Sequence, residues 1–159
     1  MLGQGSTFTF RFEAGEVPRP VKTPHTDHAE LTTAPALRLD GVKILLVEDS
    51  LDNQRLFSLY LRRAGATVVV AADGALGVKR ATESTYDLVL MDLQMPVLDG
   101  HGATAALRAQ GFRVPIVALS AHALKEEKDK ALRNGFDYYL TKPVESELLI
   151  ATILQHLST

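Results

Sequence analysis

The chain has 159 residues, 46% hydrophobic and 23% charged, with a formal net charge of −2 and no cysteine. These values describe a water-soluble globular domain with some additional chain, and they exclude disulfides and thiolate metal sites. They also lack the basic stripe of a nucleic-acid platform, the roughly 20-residue apolar run of a membrane span and the basic-then-apolar start of a signal peptide, so a cytoplasmic location is the default expectation.

Residues 3–13, GQGSTFTFRFE, alternate strictly, with Phe8, Phe10 and Phe12 on one face and Thr7, Thr9 and Arg11 on the other. That period predicts a half-buried strand. Residues 14–40 contain Pro18, Pro20, Pro24 and Pro35 and show no periodicity, which reads as a semi-extended linker. The globular part is expected over 41–159. Within it, a buried strand at 43–47 leads into a helix over 50–64, which carries Leu51, Leu56, Leu59 and Tyr60 at helical spacing and stops at Gly65. A β-branched run at 67–71 follows, then a helix over 75–83 and a strand at 87–91. A helix over 100–110 ends at Gly111, and the next strand is 115–119. A charged, exposed helix over 124–133 ends at Asn134-Gly135, and the last strand is 137–140. An amphipathic helix over 145–157 closes the series, with Leu148, Leu149, Ile153 and Leu157 as its apolar set. Five strands alternating with five helices imply an α/β fold with a parallel sheet covered on both faces. The order 2-1-3-4-5 of the flavodoxin-like class is the common solution at this size.

The polar residues at the strand ends carry the chemistry. Glu48-Asp49 follow the first strand, Asp92 the third, Ser120 the fourth and Lys142-Pro143 the fifth. In an open parallel sheet ligands bind outside the carboxyl ends of the strands, so all of these meet at one edge. An Asp carboxylate can act as a nucleophile and form an aspartyl-phosphate. Because carboxylate and phosphoryl oxygens repel, the reaction needs a cation. Mg²⁺ suits that task, binding one or two carboxylates, here Glu48 and Asp49, together with phosphate oxygens. Lys142 supplies positive charge to the developing phosphoryl oxygens, and Ser120 supplies a hydroxyl hydrogen bond. Pro143 is a candidate for a cis peptide bond. Each residue alone has an ordinary reading: an acidic pair in a helix first turn, a strand-end cap, an N-cap serine, a solvated lysine. Four ordinary readings at one sheet edge are the less economical account.

The segments LLVEDS, LVLMDLQMPVLDG, PIVALSAHA and DYYLTKP resemble a response-regulator receiver domain over residues 41 to 157. The resemblance implies that Asp92 is the phosphoacceptor, that Glu48, Asp49, Asp92 and the backbone carbonyl of Gln94 surround Mg²⁺, and that Ser120 and Lys142 bind the phosphoryl group. It implies that Tyr139 is the aromatic switch, moving into space vacated when Ser120 and its loop shift towards the phosphoryl group, and that Gln94 and His122 influence dephosphorylation. It further implies a phosphohistidine donor on a histidine kinase, in cis or in trans, and a histidine phosphotransfer protein as a further partner. Residues 1–13 are similar to the end of a histidine-kinase ATP-binding domain. With the linker and the LSAHALKEE stretch, this suggests the C-terminal receiver of a hybrid sensor kinase, lacking kinase activity of its own. Two other readings compete. A phosphohydrolase with an Asp nucleophile places a second Asp two residues on, where this chain has Gln94. A receiver used only as a docking or inhibitory module is disfavoured, because all acceptor-site residues are present. His25, His28, His101 and His156 read as structural or solvent residues.

Overall fold

Runs rich in Val, Leu and Ile alternate with helical segments along the chain, and each apolar run forms a strand. A computed structural model describes residues 37–157. The expected strand at 3–13, most of the linker, His25 and His28 lie outside the described residues. The elements are β1 (Lys43–Val47), α1 (Leu51–Arg63), β2 (Thr67–Ala71), α2 (Gly74–Glu83), β3 (Leu88–Asp92), α3 (Gly100–Ala109), β4 (Ile116–Ser120), α4 (Lys125–Arg133), β5 (Tyr138–Thr141) and α5 (Ser146–Leu157). All strand pairs are parallel, in the order β2-β1-β3-β4-β5. Each strand lies within one residue of its expected place.

Successive strand residues face opposite sides of a sheet, and the two cores follow that alternation. Ile44, Leu46, Leu88, Leu90, Val117 and Leu119 pack with Phe57 and Leu61 of α1 and Leu149, Ile150 and Ile153 of α5. Leu45, Val47, Val89, Met91, Ile116 and Ala118 face Ala81 of α2, Ala103 and Leu107 of α3, and Ala131 of α4. Two helix faces differ from expectation. In α1 the buried side chains are Phe57, Ser58 and Leu61, while Leu51, Leu56 and Leu59 are exposed. Both sets satisfy three-to-four spacing, and contact with the sheet selects between them. In α5 Ile150 joins Leu149 and Ile153 inside, and Leu148 faces outward.

The packed chain also begins earlier than Gly41. Leu39 is fully buried, its N–H donates to the Ala64 carbonyl at 2.7 Å, and Arg38 pairs with Asp40 at 2.7 Å. Gly65 makes this junction possible. It adopts φ +101°, and a Cβ there would stand 2.2 Å from Asp40 Oδ1.

Helix starts are not equally secured. Ser50, Asp73 and Asp99 cap α1, α2 and α3, accepting from the N–H groups of Asn53, Leu76 and Gly102. The α3 start is also pressed onto β3. Gly100 N–H donates to the Leu93 carbonyl at 3.0 Å, and a Cβ on Gly100 would lie 2.1 Å from the Asp92 carbonyl oxygen. By contrast, α4 has no side-chain cap at Leu124 and buries only Ala131.

Arg108 ties α3 to β4 and β5. Its guanidinium donates to the carbonyls of Gly135, Phe112 and Val114 and pairs with Asp137 at 2.6 Å, while Asp137 also accepts from the Ile116 N–H at 2.7 Å. Hydrogen bonds to charged groups contribute about 1.5–3 kcal/mol, and this set is partly exposed. Arg108→Ala is therefore expected to cost about 2–3 kcal/mol in urea unfolding. Arg108→Lys should recover little of that, because an ammonium cannot span the fork of acceptors.

Candidate functional site

The sheet order places β1, β3, β4 and β5 side by side, so their carboxyl ends share one edge. Glu48 follows β1 and its N–H bonds the Ala71 carbonyl at 3.0 Å. Asp92 and Ser120 are the last residues of β3 and β4. Lys142 follows β5, anchored by its N–H on the Ser120 carbonyl at 2.7 Å, and the Lys142–Pro143 peptide bond is cis.

Lys142 Nζ lies 2.7 Å from Glu48 Oε2 and 2.6 Å from Asp92 Oδ2, so one ammonium bridges two acids. Glu48 is 0% exposed and the Lys142 side chain 17%. The second Glu48 oxygen accepts from Asn53 Nδ2 at 3.0 Å and from the Ser50 N–H at 3.3 Å. The other Asp92 oxygen accepts from the Gln94 N–H at 3.1 Å. Gln54 donates to the Glu48 carbonyl at 2.7 Å. Oxygens of Glu48, Asp49 and Asp92 lie within 4.8 Å of one another, with Asp49 exposed. Three carboxylates with a single ammonium retain excess negative charge. This all-oxygen set fits a hard divalent cation such as Mg²⁺ rather than a soft metal.

Burial pushes the Glu48 carboxyl above its ordinary 4.5, against the bonds from Lys142 and Asn53, and the charge of Asp92 adds to the rise. Burial alone would depress Lys142, but the bonds to Asp92 and Glu48 carry it above 10.5. Because Glu48 takes up a proton more readily when folded, its contribution to stability is full below pH 4.5 and is lost as pH rises through the folded value. The unfolding free energy of the metal-free protein, minus that of Glu48→Gln, should therefore decline from about pH 4.5 towards neutrality. Urea titrations of both proteins check this, and a difference that stayed flat or grew would contradict it.

Beside the acids lies a second cluster. Ser120, 1% exposed, accepts from the His122 N–H at 3.1 Å, and its hydroxyl donates to Glu127 Oε2 at 3.3 Å. The Tyr139 hydroxyl donates to the His122 carbonyl. Tyr139 is 7% exposed. Burial raises its phenol above 10.0.

The strand-end residues thus lie together as the sequence suggests. Sequence reasoning missed Asn53, Gln54 and Glu127. The first two occupy the first turn of α1, where a polar side chain can fold back on the preceding strand end. Glu127 sits in a charge run that reads as a solvated face. His101, read as a structural or solvent residue, is half-buried: its Nδ1 lies 3.0 Å from Asn134 Nδ2, and its ring meets Phe136 edge-on at 5.7 Å.

The family model for the response regulator receiver domain matches residues 44–154. Histidine kinase 1 of Arabidopsis thaliana is 36% identical, over 73% of this chain and 13% of that protein. The two-component response regulator ORR41 of Oryza sativa subsp. japonica is 41% identical, over 68% of this chain and 88% of that protein. Among solved structures, the receiver domain of the sensor histidine kinase PA1611 of Pseudomonas aeruginosa PAO1 is similar with a TM-score of 0.70 and 40% identity. The match covers 75% of this chain and 99% of that one, and that structure holds a magnesium ion in its active-site cleft. The chain therefore spans a small part of the kinase it matches and most of the stand-alone regulator. With a parallel five-stranded sheet, an acidic edge and these relatives in agreement, the chain belongs to the response regulator receiver domain family.

Proposed function

We propose that this domain takes a phosphoryl group from a phosphohistidine onto a carboxylate oxygen of Asp92. The observation that carries the reading is the convergence of Lys142 on Asp92 and Glu48, with Asp49 adjacent. In the transfer, an Asp92 oxygen forms the new bond to phosphorus and the imidazole nitrogen of the donor leaves. Glu48, Asp49, Asp92 and the Gln94 carbonyl would hold Mg²⁺, which when bound neutralises charge on the phosphoryl oxygens. Lys142, already directed at Asp92, would turn to the transferred group, and Ser120 would donate its hydroxyl to it. Pro143 follows Lys142 at this edge and Tyr139 backs the Ser120 loop, the two residues that flank the proposed phosphoryl site.

The donor is proposed to be a histidine kinase, linked in cis or acting in trans, and the phosphoryl group is proposed to pass on to a histidine phosphotransfer protein. The hybrid-kinase arrangement is proposed with residues 1–13 as the end of a kinase ATP-binding domain, 14–40 as a linker and 41–159 as the receiver, and the similarity to histidine kinase 1 supports it. A cytoplasmic site of action suits this assignment. No helix among the described residues is long and apolar enough to cross a membrane.

The test is incubation with acetyl phosphate, with and without Mg²⁺, read by intact mass. One phosphoryl adduct that appears only with the metal is expected. If no adduct forms where an active receiver reacts, the domain is a docking module and this reading fails.

A further inference from the structure

Ser120 has one hydroxyl proton to give, and a hydroxyl donates to one acceptor at a time. In this structure that acceptor is Glu127 Oε2, at 3.3 Å. The same oxygen lies 3.4 Å from the Tyr139 hydroxyl and 3.5 Å from His122 Nδ1, so three groups from the β4 loop and β5 surround one atom of α4. The Glu127 side chain is 31% exposed, and it lines the same cleft as Asp49 and Gln94. The α4 N-terminus has no side-chain cap, and Ala131 is the buried residue of that helix.

We infer that Glu127 is a positioning residue for phosphoryl uptake: it holds the Ser120 hydroxyl in the unmodified domain and must release it when a phosphoryl group stands on Asp92. This rests on the phosphoacceptor reading above. The two anions compete for one proton, so Glu127 slows uptake, and its displacement frees the start of α4.

The experiment is the rate of adduct formation from acetyl phosphate with Mg²⁺ in wild type, Glu127→Ala, Ser120→Ala and the double variant. Glu127→Ala should react about three- to ten-fold faster than wild type, the effect of removing one modest hydrogen bond. In the Ser120→Ala background the same change should have almost no effect, because interacting residues are non-additive. Glu127→Gln, which keeps a neutral acceptor, should fall between and serves if the alanine variant folds poorly. Equal acceleration in both backgrounds would mean that Glu127 acts only by repelling the anionic donor, and would overturn the inference. So would an unchanged or slower rate in Glu127→Ala. Failure of the receiver reading is distinguishable, since wild type would then form no adduct at all.

Discussion

Asp92→Asn is expected to form no detectable adduct with acetyl phosphate and Mg²⁺, a loss of at least about 10³-fold, as for removal of an essential nucleophile. The amide keeps the shape of the carboxylate but offers no anionic oxygen for attack on phosphorus. The fold should survive, and the local charge balance explains why. Two acids share one ammonium, and the Lys142–Glu48 contact at 2.7 Å remains when Asp92 becomes neutral. Loss of the Asp92 charge also removes one influence that drives the Glu48 pKa upward. Urea unfolding of the metal-free variant should therefore lie within about 1 kcal/mol of wild type. An acid-stable, base-labile or any other persistent phosphoryl adduct on Asp92→Asn would show that another residue is the acceptor.

Lys142→Ala should have the opposite profile, with a large loss of stability that Mg²⁺ repairs. Removing the ammonium leaves Glu48, fully buried, facing Asp92 with no cation between them. Removing one member of a buried pair typically costs 3–5 kcal/mol. Lys142 retains some solvent access, so about 3 kcal/mol is expected at neutral pH in EDTA, or roughly 10 °C in Tm for a domain of this size. Mg²⁺ replaces the missing positive charge among Glu48, Asp49 and Asp92, so saturating metal should stabilise the variant more than wild type. Phosphoryl uptake should stay slow even with metal present, because no ammonium meets the phosphoryl oxygens. An equal loss with and without Mg²⁺ would separate the lysine from the metal site.

The legibility of this chain divides along physical lines. Strands such as LLV at 45–47 and LVLM at 88–91 are short and apolar on both faces, the pattern of a sheet covered on both sides. Their order then follows from short right-handed crossovers. That order is what brings Lys142 to Glu48 across 94 residues, a contact that sequence proximity could never suggest. Helix faces were less legible. Three-to-four spacing admits both Leu56 with Leu59 and Phe57 with Leu61, and only packing chooses between them. Glu127 was not legible, because a carboxylate in KEEKDK looks solvated until the Ser120 loop folds back over it. The packing of His101 was out of reach for the same reason: its partners Asn134 and Phe136 come from the far end of α4 and beyond.

The contrast between the two helix starts that flank Asp92 has a directional consequence. At Gly100, α3 rests on the backbone of Asp92 so closely that not even a methyl group fits between them. On the other side, α4 begins at an uncapped leucine, buries one alanine and meets Ser120 and Tyr139 through the Glu127 carboxylate. One neighbour of Asp92 thus abuts its backbone, and the other meets the site through a side chain. A phosphoryl group on Asp92, as proposed above, would meet close-packed backbone on the α3 side, so the adjustment it demands would fall on the α4 side, and the chemical state of the domain would be read asymmetrically, from a single flank.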